Sequence, residues 1–154
     1  MLTLLPVRNP NPRFFAEDGR EAGVPETTAA KEPCIGVDLI AVSRVREVFA
    51  GREALLEAVF TAEELRYCRG QQDPFVHLAA RYAAKEAVVK GLGTGMTGSM
   101  SWRDVETVHG ALGEPHLVLH GEVARLAEAM GLHRCGISLS HSGEYAMAAV
   151  LLSG

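Results

Sequence analysis

Two carboxylates stand where carboxylates are costly. In a helix predicted over 74–90, Glu86 falls within about 40° of Phe75, Ala79 and Tyr82 at 100° per residue, so it points along the apolar stripe. Asp38 interrupts the apolar run 34–40, a predicted strand in which Ile35, Val37 and Leu39 cover one face. Asp38 shares the other face with Gly36 and Ile40. An isolated ionised carboxylate at either place costs several kcal/mol or gives up its charge, so each needs a cation, hydrogen bonds or a metal. A structural salt bridge would satisfy either acid alone. Together they also make an oxygen donor set of the kind Mg²⁺ accepts, with water and phosphate in the remaining positions.

The nearby cations admit two readings. Lys90 lies one turn beyond Glu86 on the same face, as in an ordinary i,i+4 ion pair, while Arg81 and Lys85 make a separate row on the flank, as in a solvated basic edge. This basic helix end runs into Gly91-Leu92-Gly93-Thr94-Gly95, where small residues let a phosphate approach the backbone. His141 occupies Ser138-Leu139-Ser140-His141-Ser142, a polar turn between two apolar strands; such turns are plain connections or places for binding groups.

Other chemistries are excluded. The glycine loop follows a helix and no Gly-Lys-Ser/Thr is present, which removes the dinucleotide fingerprint and the P-loop. His116 and His120 can face the same side of a strand and His133 lies near Cys135, but histidines at such spacing are more often packing or solvent residues than zinc ligands, and no Gly-x-Ser-x-Gly elbow or triad acid accompanies His141.

The elements that must position these residues follow from caps and periodicity. Ser43 is placed to cap a helix to about residue 49, and a short helix is predicted over 53–60. Thr61-Ala62-Glu63-Glu64 is a capping box opening a helix that ends near Gly70. Asp73-Pro74 pairs an N-cap with proline at the first helical position, starting the long helix that Gly91 closes. A hairpin over 102–119 turns at 110–113, a helix covers 122–130, and strands over 135–140 and 145–152 are joined by the turn 141–144. The irregular order of strands and helices indicates an α+β class: a single domain with an antiparallel sheet packed with a long helix.

Composition sets the outer bounds. The 154 residues are 47% hydrophobic, enough for one core without disulfides or structural metal. Residues 1–33 hold five of the seven prolines and no periodicity, which predicts a flexible Pro-rich leader ahead of a domain over 34–154. Three cysteines without a CxxC pair point to a reducing, cytoplasmic setting. A net charge of −4 argues against nucleic acid as partner, and no apolar run approaches the ~20 residues of a membrane span.

Five segments then meet a known pattern: GVDLIAVSRV (36–45), AARYAAKEAVVKGLGTG (79–95), WRDVETV (102–108), GEPHLVL (113–119) and SLSHSGEYAMAAVLL (138–152). In order and spacing they resemble the holo-acyl-carrier-protein synthase type of phosphopantetheinyl transferase, over residues 34–154. The resemblance implies that Asp38 and Glu86 bind Mg²⁺ and that Lys90 approaches the pyrophosphate of coenzyme A. It implies further that Arg81, Lys85, Gly93, Thr94, Gly95 and His141 contact the nucleotide phosphates. A homotrimer with active sites between subunits is implied too, as is docking of an acidic acyl-carrier protein on the first helix, where Arg44 and Arg46 sit with Arg52 just beyond. Ala41 departs from the pattern, standing where many members carry a glutamate. The implied reaction is transfer of phosphopantetheine from coenzyme A to a carrier serine. A Mg²⁺-dependent pyrophosphate hydrolase and a non-catalytic carrier-binding module are the rival readings of the same acids and cations.

Overall fold

The computed structural model describes residues 32–154; apart from its last two positions, the leader expected over 1–33 lies outside the described residues. The elements run β1 (Cys34–Ala41), α1 (Val42–Phe49), α2 (Glu53–Val59), α3 (Ala62–Arg69), α4 (Pro74–Leu92), β2 (Val105–His109), β3 (Pro115–Leu119), α5 (Gly121–Ala129), β4 (Arg134–Ser142) and β5 (Tyr145–Ser153). A three-stranded antiparallel sheet has the order β1-β5-β4, and β2 and β3 form a separate antiparallel pair. The architecture is the expected α+β arrangement of antiparallel strands packed with a long helix.

Local signals set most boundaries. Thr61 Oγ1 accepts from the Glu64 amide while Glu64 reaches back to the Thr61 amide, the reciprocal capping box that opens α3. The Asp73 carboxylate accepts from the Phe75 amide, with Pro74 in the first turn of α4. That helix does not stop at Gly91: it continues to Leu92 and ends at Gly93, whose φ of 74° supplies the left-handed cap a side chain would resist. Ser43 does not cap α1 either. The N-cap is Ala41, which has no side-chain acceptor, and the Val42 amide instead donates to the Glu144 carbonyl, 2.7 Å away.

α4 is the hub of the packing. Ala83, Ala84, Ala87, Val88 and Leu92 pack with Val105, Val123 and the β5 residues Ala148, Val150 and Leu152. Leu78, Ala79 and Ala80 on the same helix pack with Val42, Val45, Phe49, Phe60 and Leu65 from α1–α3 and the segment before α3. A helix buried on nearly all sides sits at the centre of its domain, and small alanines let its neighbours come close.

β1 is the neighbour that comes closest. A Cβ on Gly36 would lie 1.8 Å from the Ala87 carbonyl oxygen and 2.9 Å from the Gly91 amide. Only glycine permits this crossing. The inward face of β1 is therefore the one carrying Gly36, Asp38 and Ile40. The outward face, with Ile35, Val37 and Leu39, is 70%, 48% and 61% exposed, so only the Gly36–Asp38–Ile40 face of β1 packs inward. Because the obstructing atoms at Gly36 belong to the backbone, Gly36→Ala is expected to destabilise the fold by about 1–3 kcal/mol or more, read as a lower denaturation midpoint.

Candidate active site

The close crossing places the two acids at one edge of α4. Asp38 lies two residues beyond Gly36 on the same face of β1 and receives the Lys90 ammonium at 2.6 Å, with the Val37 carbonyl 3.4 Å from the same nitrogen. Lys90 thus pairs across to β1; the i,i+4 ion pair with Glu86 expected from helical spacing is not the contact it makes. Burial first, and then the charge of Asp38, push the Glu86 carboxyl above its ordinary value, while a hydrogen bond from Tyr82 and the charge of Lys90 act the other way. The Tyr82 hydroxyl is itself pushed up to about 12, by burial and then by Glu86, so it stays a neutral donor. Lys90 thus pairs with Asp38 alone, and Glu86, half-buried beside a second carboxylate, is left with the Tyr82 hydroxyl and the more distant field of Lys90. Such a donor set fits a hard divalent cation. Among the described residues no cluster of three or more His, Cys, Asp or Glu accompanies it, so a cation here would take its other ligands from water and phosphate.

The helix end beyond Lys90 leads into an open loop. Gly93 and Thr94 are exposed, Thr94 Oγ1 donates to the Gly95 carbonyl at 3.1 Å, and a Cβ at Gly93 or Gly95 would meet nothing within 4 Å. The backbone at Gly93 and Gly95 is thus open to close approach by a phosphate, while the Gly93 amide itself donates to the Val89 and Lys90 carbonyls.

Arg81 and Lys85 depart from the solvated edge that their spacing suggests. Lys85 is 0% exposed, and its ammonium donates to Glu64 at 2.7 Å, to the Trp102 carbonyl at 3.1 Å and to the Val105 carbonyl. All three ammonium hydrogens are committed, which leaves none for a nucleotide phosphate. The same Glu64 carboxylate accepts from the Thr61 and Thr107 amides, so one buried ion pair ties α3, α4 and β2 together. The reason is tertiary. α3 and β2 bring acceptors to a flank that periodicity alone leaves open to water.

Arg81 is 1% exposed and lies over the Tyr67 ring, 4.1 Å from its centroid. Its Nη1 donates to the His77 carbonyl at 3.2 Å, and Nη2 is 3.4 and 3.5 Å from the two ring nitrogens of His109. His141 belongs to β4, paired with Ala146, and the turn narrows to Gly143 and Glu144. Its ring lies 6.0 Å from that of His77. Arg81 and His141 therefore meet in one cluster with three residues the sequence reading missed, Tyr67, His77 and His109. Only the i,i+4 spacing of His77 and Arg81 could have hinted at it. Five residues separate Arg81 from Glu86, roughly 140° around the helix, so the two clusters face different sides of α4.

On α1, Arg46 is held by a bidentate bond to Asp73 (2.8 and 3.0 Å) and covers the Phe75 ring, whereas Arg44 and Arg52 are exposed. Arg44 stands near enough to Tyr82 to influence it electrostatically, which puts it at the rim of the Asp38–Glu86 edge.

Residues 34–150 match the family model of the 4'-phosphopantetheinyl transferase superfamily. The chain belongs to that superfamily. It is 46% identical over 121 residues to a holo-[acyl-carrier-protein] synthase of Syntrophotalea carbinolica, covering 78% of this chain and 94% of that protein. Among solved structures it is similar to the ACPS–CoA complex of Chronobacterium ammoniagenes, with a TM-score of 0.70 and 31% identity over 80% of this chain and 98% of that one. The synthase of Neisseria meningitidis gives a TM-score of 0.68 and 31% identity over 77% and 96%. Family and fold are those the five sequence segments imply.

Within this transferase fold, Lys85 holds the scaffold. Lys85→Met, which strands Glu64 as a buried unpaired acid, should cost about 3–5 kcal/mol, and adding Glu64→Gln should restore part of it. Thermal melts of the three proteins check this. An unchanged melt with a selectively raised KM for coenzyme A would instead make Lys85 a substrate contact.

Proposed function

We propose that this chain transfers 4'-phosphopantetheine from coenzyme A to a serine hydroxyl of an apo-acyl-carrier protein, releasing adenosine 3',5'-bisphosphate. The observation that carries the reading is the convergence of Asp38, Glu86 and Lys90 at an open edge beside the Gly93–Gly95 loop. Asp38 and Glu86 would hold Mg²⁺, whose chemistry when bound is to offset charge gathering on the pyrophosphate oxygens. Lys90 adds a second positive centre to the departing phosphate, and the loop amides orient it. Serine is a weak nucleophile; Glu86, half-buried and raised, takes its proton directly or through a water it holds. Hydrolysis of pyrophosphate would use the same groups, but the relatives are named as synthases of holo-carrier protein, and a pure docking module has no need of two acids on an inward-facing edge. Three free cysteines, and no described helix long and apolar enough to cross a membrane, suit a reducing cytoplasm.

Carrier docking is assigned to α1. Arg44, without an ion-pair partner among the described residues, and the exposed Val48 one turn later offer an acidic carrier helix a charge and an apolar foothold. Arg52 extends the patch, while Arg46 contributes less because Asp73 already holds it.

The working unit is a homotrimer in this reading. Ile35 and Leu39 on β1, with Tyr145, Met147 and Leu151 on β5, expose large apolar side chains on one face of the sheet, a surface suited to other copies of the chain. The separation of Glu86 and Arg81 around α4 suits sites completed between subunits, one offering the acids and its neighbour Arg81 and His141.

Asp38→Asn and Glu86→Gln should each lower transfer by about 10²-fold or more with circular dichroism unchanged, followed as phosphopantetheine gain in the intact mass of an apo-carrier. Near-normal transfer at saturating Mg²⁺ would reduce either acid to a structural pair. Since burial and Asp38 raise Glu86 in the metal-free protein, protons should compete with Mg²⁺ for it, so the Mg²⁺ concentration needed for half-maximal transfer is expected to rise as pH falls.

Mixing His141→Ala with Glu86→Gln subunits should recover part of the activity that each homotrimer lacks. Demonstrably mixed assemblies that remain inactive would place both groups in a site of one chain.

A further inference from the structure

Of the two acids at the edge of α4, Glu86 is the one whose placement the ion pairs leave unexplained. Lys90 is committed to Asp38 at 2.6 Å, and the charge of Asp38 acts on Glu86 as a repulsion. A glutamate side chain is long and rotates freely, so repulsion alone would swing its carboxylate away towards water. The group that meets it stands one helical turn earlier. Side chains on a helix lean towards its N-terminus, which carries the carboxylate at position 86 back over position 82, and there the Tyr82 hydroxyl donates to it.

The phenol has little freedom of its own. Its ring is edge-on to Phe49 of α1, with centroids 6.1 Å apart and planes at 61°, and it lies tilted against Trp102 at 5.4 Å. Phe49 is buried and edge-on in turn to Phe60. Trp102 begins a single 3-10 turn, Trp102–Asp104, which the reciprocal bonds of Ser101 and Asp104 cap, and its carbonyl accepts from the buried Lys85 ammonium at 3.1 Å. Rings from α1 and from the turn before β2, each anchored in the scaffold, therefore brace one hydroxyl on α4.

We propose that Tyr82 is a positioning residue for the transfer: its hydroxyl, braced by Phe49 and Trp102, holds the Glu86 carboxylate beside Asp38 so that both acids present oxygens to one divalent cation. The inference rests on the reading of Asp38 and Glu86 as the acids that hold Mg²⁺. A carboxylate that accepts from a phenol keeps lone pairs for a metal, so the two contacts are compatible. Hydrogen bonds of this kind orient ligating carboxylates, and losing one costs about 10–100-fold in metal affinity or activity. Phenylalanine at position 82 would keep the ring packing and remove only the hydroxyl.

Tyr82→Phe is therefore compared with the unaltered protein. Mn²⁺ serves as the probe, its binding followed by electron paramagnetic resonance with coenzyme A present. The affinity is expected to fall about tenfold, and kcat for transfer by a similar factor, while KM for the carrier and the thermal melt stay unchanged. Because Tyr82 acts through Glu86, adding Tyr82→Phe to Glu86→Gln should cost nothing further. Additive losses, or a Tyr82→Phe protein with unaltered Mn²⁺ affinity and kcat, overturn the positioning role alone. In the unaltered protein, bound Mn²⁺ should also broaden the Tyr82 ring resonances in NMR spectra; if they stay sharp, the role is overturned without recourse to a variant. Mn²⁺ binding that Glu86→Gln does not weaken overturns the role together with the reading on which it rests.

Discussion

The crossing of β1 over α4 at Gly36 governs the site. Its backbone lies so near the Ala87 carbonyl that no side chain fits between them, and this contact fixes where β1 stands along the helix. Asp38 is two residues further on the same face, hence one step from Lys90 and within the field of Glu86. Strand alternation and helical pitch convert one close contact into the placement of three charged groups. The same geometry turns Ile35, Val37 and Leu39 outward, so the apolar outer face is a corollary of the acidic inner one.

A second device keeps the other side of α4 in place. Glu64 completes the Thr61 capping box, accepts the Lys85 ammonium and receives the Thr107 amide, so a single carboxylate joins a helix start, a central helix and a strand. Every polar atom of that carboxylate and ammonium has a partner, the condition under which a buried ion pair specifies a fold without destabilising it. On this rigid base α4 carries two chemically different faces, one with paired acids and one with an unpaired guanidinium. Opposite charges aimed in different directions from one helix are what an active site shared between neighbouring subunits calls for.

Much of this was legible in the sequence because the signals are local. The Thr61 capping box, the Asp73-Pro74 start and the two misplaced acids each announce themselves within a few residues, and the five family segments add the fold. Where the reading departed from the structure, the decisive partner comes from far along the chain. Lys85 and Arg81 read as a wet flank until α3 and β2 close over them; Lys90 chooses Asp38, 52 residues away, over Glu86, one turn away. Ser43 has the right chemistry for a cap, but the Val42 amide finds the Glu144 carbonyl instead. His141 sits in a strand because the turn needs only Gly143 and Glu144.

The pairing of β1 with β5 also constrains how the molecule comes to exist. Cys34 aligns with Leu152 and Ala41 with Tyr145, so the first described strand has no partner in its sheet until the last has been synthesised. Helices α1–α4, built on nearby contacts, are free to form while translation proceeds, but β1 must wait for β5 as an unpaired apolar segment. Until β5 emerges the core lacks Ala148, Val150 and Leu152. Asp38 is locked into its register only once Ala148 and its neighbours on β5 have emerged to pair with β1.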